Sequence, residues 1–261
     1  MKYLDWIKRL DIVMTSPSIS LIIPCFNEQH RVKESIEEIA RFFLNEQEKL
    51  ELLVVDDGST DNTASIVKTL LASNPSLTQN AHLLEVSHKG KGWAVRNGIL
   101  RAQGEYRFIS DLDLSVSLTH IKDFVKSMEN GADMVIASRQ LKESQRLDEP
   151  KRRFFASRLF NQIIRCFLSL RISDSQCGFK GFTSATANAI FSVQCLNGYC
   201  FDPEVLFIAK KLHYTVIESP VIWRHQSASK VNLKVDSIKM IWDLLRIRVY
   251  SILGKYNQDS K

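Results

Sequence analysis

The sequence predicts an α/β fold, a mostly parallel sheet flanked by helices. Two patterns carry that prediction, and a third marks where a ligand would sit. Short apolar runs alternate with segments whose apolar residues recur at helical spacing. The chain has 261 residues, 44% of them hydrophobic, enough to bury the core of one large domain. The polar clusters Asn27-Glu28, Asp56-Asp57, Lys89 to Lys91, and Asp111 with Asp113 fall at strand ends or in the loops just after them. Ligands of doubly wound sheets bind beyond the carboxyl ends of the strands, so four such clusters outline one rim.

Each element follows from a local signal. Residues 1–14 can form a short amphipathic helix through Leu4, Ile7 and Leu10. Residues 19–23 read as a first strand ending at Pro24. Residues 29–44 read as a helix with Val32, Ile36, Ile39, Ala40 and Phe43 on one side. A second strand over 52–55 runs into Asp56-Asp57-Gly58-Ser59, and Thr60 or Asp61 can cap the helix after it. Strand 82–86, helix 91–102 and strand 106–112 follow, then helix 119–128 and strand 133–137. Residues 139–158 hold seven basic side chains and Pro150, which predicts a mobile charged loop entering a helix that ends near 168. A strand over 179–182 precedes a helix capped by Thr183. Another helix starts at Asp202 with Pro203 in its first turn, and a strand over 215–223 is interrupted by Pro220. The tail, 231–254, reads as a helix whose stripe of Ile238, Ile241, Leu245, Val249 and Ile252 is flanked by basic residues, Trp242 and Tyr250. Such a helix packs on its own domain, pairs with a second copy in a homodimer, or lies on a membrane surface.

The net charge of +6 suits an anionic partner: nucleotide phosphates, acidic lipid headgroups or nucleic acid. No recognised nucleic-acid module accompanies the charge, so nucleic acid is not an expected partner. The five cysteines (Cys25, Cys166, Cys177, Cys195 and Cys200) have neither Cys-x-x-Cys nor zinc-ligand spacing and read as reduced thiols. Residues 1–16 carry charges throughout, unlike a secretory leader, and the longest uncharged run, 181–201, is too polar to span a bilayer. The expectation is a cytoplasmic protein, with peripheral contact to the membrane left open.

Chemistry centres on Asp111-Leu112-Asp113. Residues two apart on a strand point the same way, so both carboxylates can aim at one point past its end. Two hard oxygen anions suit Mg²⁺ or Mn²⁺, an ion that keeps its other positions for water and nucleotide phosphates.

In their order along the chain, Pro24-Cys25-Phe26-Asn27-Glu28, Val55-Asp56-Asp57-Gly58-Ser59-Thr60-Asp61, Gly90-Lys91-Gly92 and Asp111-Leu112-Asp113 resemble the family 2 glycosyltransferases of the GT-A, Rossmann-like fold. Asp174-Ser175-Gln176-Cys177-Gly178-Phe179-Lys180, Phe201-Asp202-Pro203-Glu204 and Trp223-Arg224-His225 with Ser229-Lys230 resemble the polyprenyl- and dolichyl-phosphate glycosyltransferases. The wording Gln-Cys-Gly-Phe-Lys is closer to the dolichyl-phosphate β-glucosyltransferase branch than to the mannose branch.

That resemblance implies an inverting, metal-dependent transfer of glucose from UDP-glucose to a polyprenyl monophosphate. The alternatives are another donor, a soluble acceptor, or a non-catalytic nucleotide-sugar-binding protein. It implies a metal on Asp111 and Asp113, and a nucleotide sugar near Pro24, Asn27, Glu28, Asp56, Asp57 and Lys91. It further implies an acceptor phosphate near Arg139, Gln176, Arg224 and Lys230. Ser115 stands where mannose-branch relatives carry Gln, which leaves a third metal ligand unassigned. Asp174 falls among the catalytic residues, as an orienting group, a weak base or a structural hydrogen-bonding group. The expected division is an N-terminal segment over 1–17, a GT-A domain over 18–231, and a C-terminal amphipathic helix and tail over 232–261.

Overall fold

In a computed structural model, the structure describes residues 18–46, 49–77, 80–226 and 233–257. The helix expected over 1–14 lies outside them. Seven strands form one sheet in the order β3-β2-β1-β4-β7-β5-β8. They are β1 (Ile19–Cys25), β2 (Leu50–Asp56), β3 (Ala81–Glu85), β4 (Tyr106–Ile109), β5 (Met134–Ser138), β7 (Lys180–Thr183) and β8 (Val216–Pro220). Pairing is parallel except along β7, which runs antiparallel to both β4 and β5. The carboxyl ends of the other six strands therefore share a rim with the start of β7.

Alternation along the strands divides the core. Ile22, Leu53 and Val55 face a cluster completed by helices α3 (Lys91–Arg101), α5 (Lys151–Leu168), α6 (Ser184–Val193), α7 (Phe201–Lys211) and α8 (Leu233–Ile252). Leu21, Ile23, Leu52 and Val54 face the other side, covered by α1 (Val32–Asn45), α2 (Thr63–Ser73) and α4 (Ile121–Glu129).

Strand β1 continues through Pro24 at no cost to the ladder. Ile22 O accepts from Ser110 N, which sets even positions of β1 toward β4. Strand β4 has ended by the level of Pro24, so the proline's missing N–H has no partner to lose.

Three expectations change. The strand expected over 106–112 stops at Ile109: Ser110 makes its last bond to β1, and Leu114 N then turns back to Asp111 O with Leu114 at φ 47°. The charged loop over 139–158 contains a strand, β6 (Gln145–Leu147), paired in parallel with β9 (Ile222–Arg224) in a separate two-stranded sheet. Pro220 ends β8, so the single strand expected over 215–223 is two strands in two sheets.

The tail helix shows a further difference. Its packed side is Met240, Leu244 and Ile247, while Ile241, Leu245, Val249 and Ile252 of the expected stripe are exposed. The side chain of Ile238 lies outside the described residues.

Candidate functional site

The loops after β1 and β2 form one end of the rim. Asp56 and Asp57 are almost fully buried, and both are engaged. Asp56 accepts from Ser59 N at 2.9 Å and from the Ser59 hydroxyl. Asp57 accepts from the backbone N–H of Lys89 (3.0 Å) and Gly90 (2.8 Å), which clamps the loop ahead of α3. His88 Nδ1 lies 2.8 Å from Asp57 Oδ2, and its ring stacks on Phe26 with centroids 4.1 Å apart. Asn62, and not Thr60 or Asp61, stands at the N-cap of α2, while Asp61 Oδ1 accepts from Thr63 N just ahead of it. Asn27 holds the same loop through Thr60 N at 2.8 Å, and Glu28 pairs with Arg31 at 2.8 Å. Pro24 and Asn27 thus frame this end, while the carboxylates of Asp56 and Asp57 act as its internal struts.

Lys91 is the first residue of α3 and follows Gly90, which sits at φ 117° where a Cβ would meet Asn197 O at 2.7 Å. Its ammonium lies 2.5 Å from Asp111 Oδ1. Burial pushes the Lys91 amine down, but Asp111, then Asp202, outweigh it and hold the amine above the ordinary lysine range. Burial likewise pushes the Asp111 carboxyl up, and Lys91, Lys180 and Arg139 together hold it below the usual range.

Asp111 and Asp113 sit on a turn, not on the alternating strand that the sequence suggested. Asp113 Oδ1 accepts from Ser115 N at 3.0 Å and Ser115 Oγ at 2.7 Å, so Ser115 orients this carboxylate. Among the described residues, no third His, Cys, Asp or Glu joins them in a metal-holding group. Two carboxylates fit a divalent ion whose remaining positions go to diphosphate oxygens and water. The surroundings preserve that space: a Cβ on Gly178 would overlap Asp111 Oδ2.

The other end of the rim is a set of ion pairs between distant segments. Arg139, just past β5, grips buried Asp174 through Nε at 2.7 Å, Nη2 at 2.9 Å and its backbone N–H at 3.0 Å. Gln176 N donates to the same carboxylate at 3.2 Å. Burial pushes the Asp174 carboxyl up, but Arg139 dominates and holds it far below the usual range. Both of its oxygens are thus engaged, by the Arg139 guanidinium and by backbone N–H groups. Arg139 also lies over the Trp223 ring, 5.5 Å from its centroid.

Cys177 is buried, which pushes its thiol up to about 11 and makes it a packed side chain. Lys180, at the start of β7, donates to Cys177 O and lies 2.5 Å from Asp202 at the start of α7. Arg224 is exposed on β9, and its N–H donates to Ser115 O at 2.9 Å, which brings its segment against the Asp113 turn. Lys230 lies outside the described residues.

Lys180 and Asp202 lie within the sequence motifs but carry no role legible from the sequence. A lysine ending an otherwise apolar run is a signal, since such a group is buried only when paired. A more remote support was not visible: Glu204 accepts from Cys195 N (2.9 Å), Leu196 N (2.8 Å) and Tyr256 Oη (2.8 Å). Next to that loop, Asn197 O accepts from Trp93 N at 3.2 Å.

Comparison with known proteins agrees with this architecture. The dolichyl-phosphate beta-glucosyltransferase of Dictyostelium discoideum is 35% identical over 254 residues, covering 90% of this chain and 75% of the relative. The protein of the same name from Saccharomyces cerevisiae is 30% identical over 260 residues, covering 93% and 78%. The human one is 27% identical over 261 residues, covering 95% and 80%.

Among solved structures, the glucosyl-3-phosphoglycerate synthase of Mycobacterium tuberculosis with Mn²⁺, UDP-glucose and phosphoglyceric acid superposes with a TM-score of 0.63. Its identity is 17%, and the match covers 92% of this chain and 83% of that one. A mannosyltransferase from Pyrobaculum calidifontis with GDP-mannose and Mn²⁺ gives a TM-score of 0.61 at 20% identity, covering 92% and 65%. These two likenesses speak for the fold. The sequence profile described as "Glycosyl transferase family 2" matches residues 20–191, and the chain belongs to that glycosyltransferase family.

Proposed function

We propose that the protein transfers glucose from UDP-glucose to a polyprenyl, dolichyl-type monophosphate, with inversion at the anomeric carbon. The relatives' shared name supports the donor and the lipid. The observation that carries the acceptor class is the closed state of Asp174. A hydroxyl acceptor needs a base, but the acids around the cleft are engaged: Asp174 by Arg139, Asp202 by Lys180, Asp111 by Lys91, and Asp113 by Ser115. A phosphate monoester needs none, because its second pKa of about 6 leaves it ionised near neutral pH. It needs positioning instead.

The donor lies along the loops of Pro24, Asn27 and Glu28, with Asp56 and Asp57 fixing the loop walls. Lys91 and the amino end of α3 face the diphosphate, where cation and helix dipole both favour negative charge. Asp111 and Asp113 are the residues that would hold Mg²⁺ or Mn²⁺, and such an ion neutralises charge on the departing nucleoside diphosphate. Arg224, Lys230 and the Gln176 loop receive the acceptor phosphate, with Arg139 holding that loop in place through Asp174. Arg suits this task because it offers parallel hydrogen bonds to phosphate. The phosphate oxygen then attacks the anomeric carbon from the face opposite the diphosphate, and UDP leaves. A lipid acceptor brings the reaction to a membrane surface.

Incubation of purified protein with labelled nucleotide sugars, Mn²⁺ or Mg²⁺ and a polyprenyl phosphate tests this. The expected product is lipid-linked glucose from UDP-glucose. Preference for GDP-mannose or a UDP-N-acetylhexosamine overturns the sugar, and transfer only to soluble acceptors overturns the lipid. Donor binding without transfer to any acceptor overturns the enzyme reading.

A further inference from the structure

The first turn of α7 carries three side chains that reach away from the helix. The Lys91 ammonium lies over the Phe201 ring, 5.7 Å from its centroid. Asp202 pairs with Lys180. Glu204 is fully buried and serves a third segment, the turn of Cys195 and Leu196. An acid in a first turn commonly favours its helix through the dipole alone. Glu204 does more. Its Oε1 takes the N–H of Cys195, its Oε2 takes the N–H of Leu196, and Tyr256 Oη closes on Oε1.

The turn that Glu204 holds is packed hard against the start of α3. Asn197 O accepts from Trp93 N at 3.2 Å. A Cβ on Gly90 would meet Asn197 O at 2.7 Å, and one on Gly92 would meet Leu196 O at 2.6 Å. Those two glycines flank Lys91. The backbone of 196–197 thus occupies space that side chains would otherwise take, and it fixes the path of the chain through Lys91. The ammonium at the end of that path lies 2.5 Å from Asp111. Contacts this close leave no slack, so a shift of the turn is passed on to Lys91.

We propose that Glu204 is a positioning residue for the donor: through the 195–197 turn it sets where the Lys91 ammonium stands, and so tunes affinity for a nucleoside diphosphate. The proposal deepens the donor reading and rests on it for the ligand, while binding is measurable without any transfer. Glu204 acts through backbone and not by touching the ligand. The contacts run from Tyr256 to Glu204, to Leu196 and Asn197, to the two glycines, and so to Lys91. Tyr256 reaches only one of the two oxygens, so its loss is the milder disturbance.

The test is a double-mutant cycle on the full chain, read by calorimetry of UDP binding with Mn²⁺ present. Glu204→Gln keeps the size of the side chain. Whichever way the amide is placed, its NH₂ faces one of the two backbone N–H donors, and one bond to the turn is lost. Glu204→Gln is expected to weaken UDP about tenfold, the scale of one lost hydrogen bond to a charged group. Lys91→Met is expected to weaken it at least as much. The double variant is expected to bind no more weakly than Lys91→Met alone. Without ligand, Glu204→Gln is expected to speed amide hydrogen exchange at Trp93 while leaving the amides of α2, across the sheet, unchanged.

Losses that simply add in the double variant overturn the proposal, because a merely structural Glu204 weakens binding with or without Lys91. So does unchanged UDP affinity in Glu204→Gln. If Glu204→Gln fails to fold, Tyr256→Phe replaces it in the same cycle, with a threefold loss expected and unchanged affinity overturning the proposal. If GDP binds and UDP does not, the donor reading falls and the same cycle is read with GDP. If neither binds, both readings fall. UDP binding with the expected coupling, but no sugar transfer from any donor, sinks the transferase reading and leaves the positioning role intact. Transfer of glucose with additive losses does the reverse.

Discussion

At the β2 end of the rim, Asp56 and Asp57 close on backbone and hydroxyl groups of the adjoining loops. At the β4–β7 end, Asp111, Asp174 and Asp202 each face a cation from another element. The first arrangement is a frame, because its hydrogen bonds fix the walls of the adjoining loops. The second is a charge balance, because each carboxylate is neutralised by a cation from another element. Acid content alone does not distinguish a binding group from a strut; the source of its partner does.

The largest expected effect separates the two ends. Asp113→Ala is expected to lower the rate of glycosyl transfer by about 10³-fold with little change in melting temperature, since it removes charge needed only during reaction. A fall in melting temperature that accounts for the lost activity would place Asp113 with the frame.

Arg139→Ala tests the charge balance in the folded state. It leaves Asp174 ionised and buried without its cation, and a loss of about 3 kcal/mol or more in urea unfolding is expected. A companion prediction concerns pH. The Asp174 carboxyl is held below its unfolded value, so its stabilisation is complete above that value, about 3.9, and is lost as pH falls further. Asp174→Asn is therefore expected to flatten the decline in stability below about pH 4.

Gly178→Ala is a milder intrusion. Its Cβ would crowd Asp111 Oδ2, and a displacement near 1 Å is expected to cost about 10²-fold in turnover while the protein still folds. Unchanged turnover would show that the turn yields. The smallest effect belongs to the remote support: Tyr256→Phe removes one hydrogen bond to Glu204, worth about 1 kcal/mol in thermal unfolding.

The contrast between the ends also explains what the sequence made legible. The loop of Asp56 to Asp61 is a local motif, so its place after a strand and before a helix could be read directly. The sheet was legible because alternation and helical period report burial on each face. The strand β7 was placed near its true span, but its reversed direction was not legible, since a four-residue run carries no sign of which way it pairs. Asp111 and Asp113 were placed at the rim for a reason that proved wrong in detail, because a turn brings them there and not strand alternation. The pairs Arg139–Asp174 and Lys180–Asp202 join residues 35 and 22 positions apart, and only the folded chain shows which charges meet. On α8 the stripe was visible, but a helix apolar on two sides does not announce which side the core takes.

The contact between Tyr256 and Glu204 has a consequence for the order of assembly. Glu204 carries the 195–196 turn, and the adjacent Asn197 presses on the glycine that precedes Lys91. A nascent chain halted before residue 256 has made every strand of the sheet yet lacks the phenol that completes this clasp. Maturation of the loop ahead of Lys91 thus waits on a side chain made after the whole sheet.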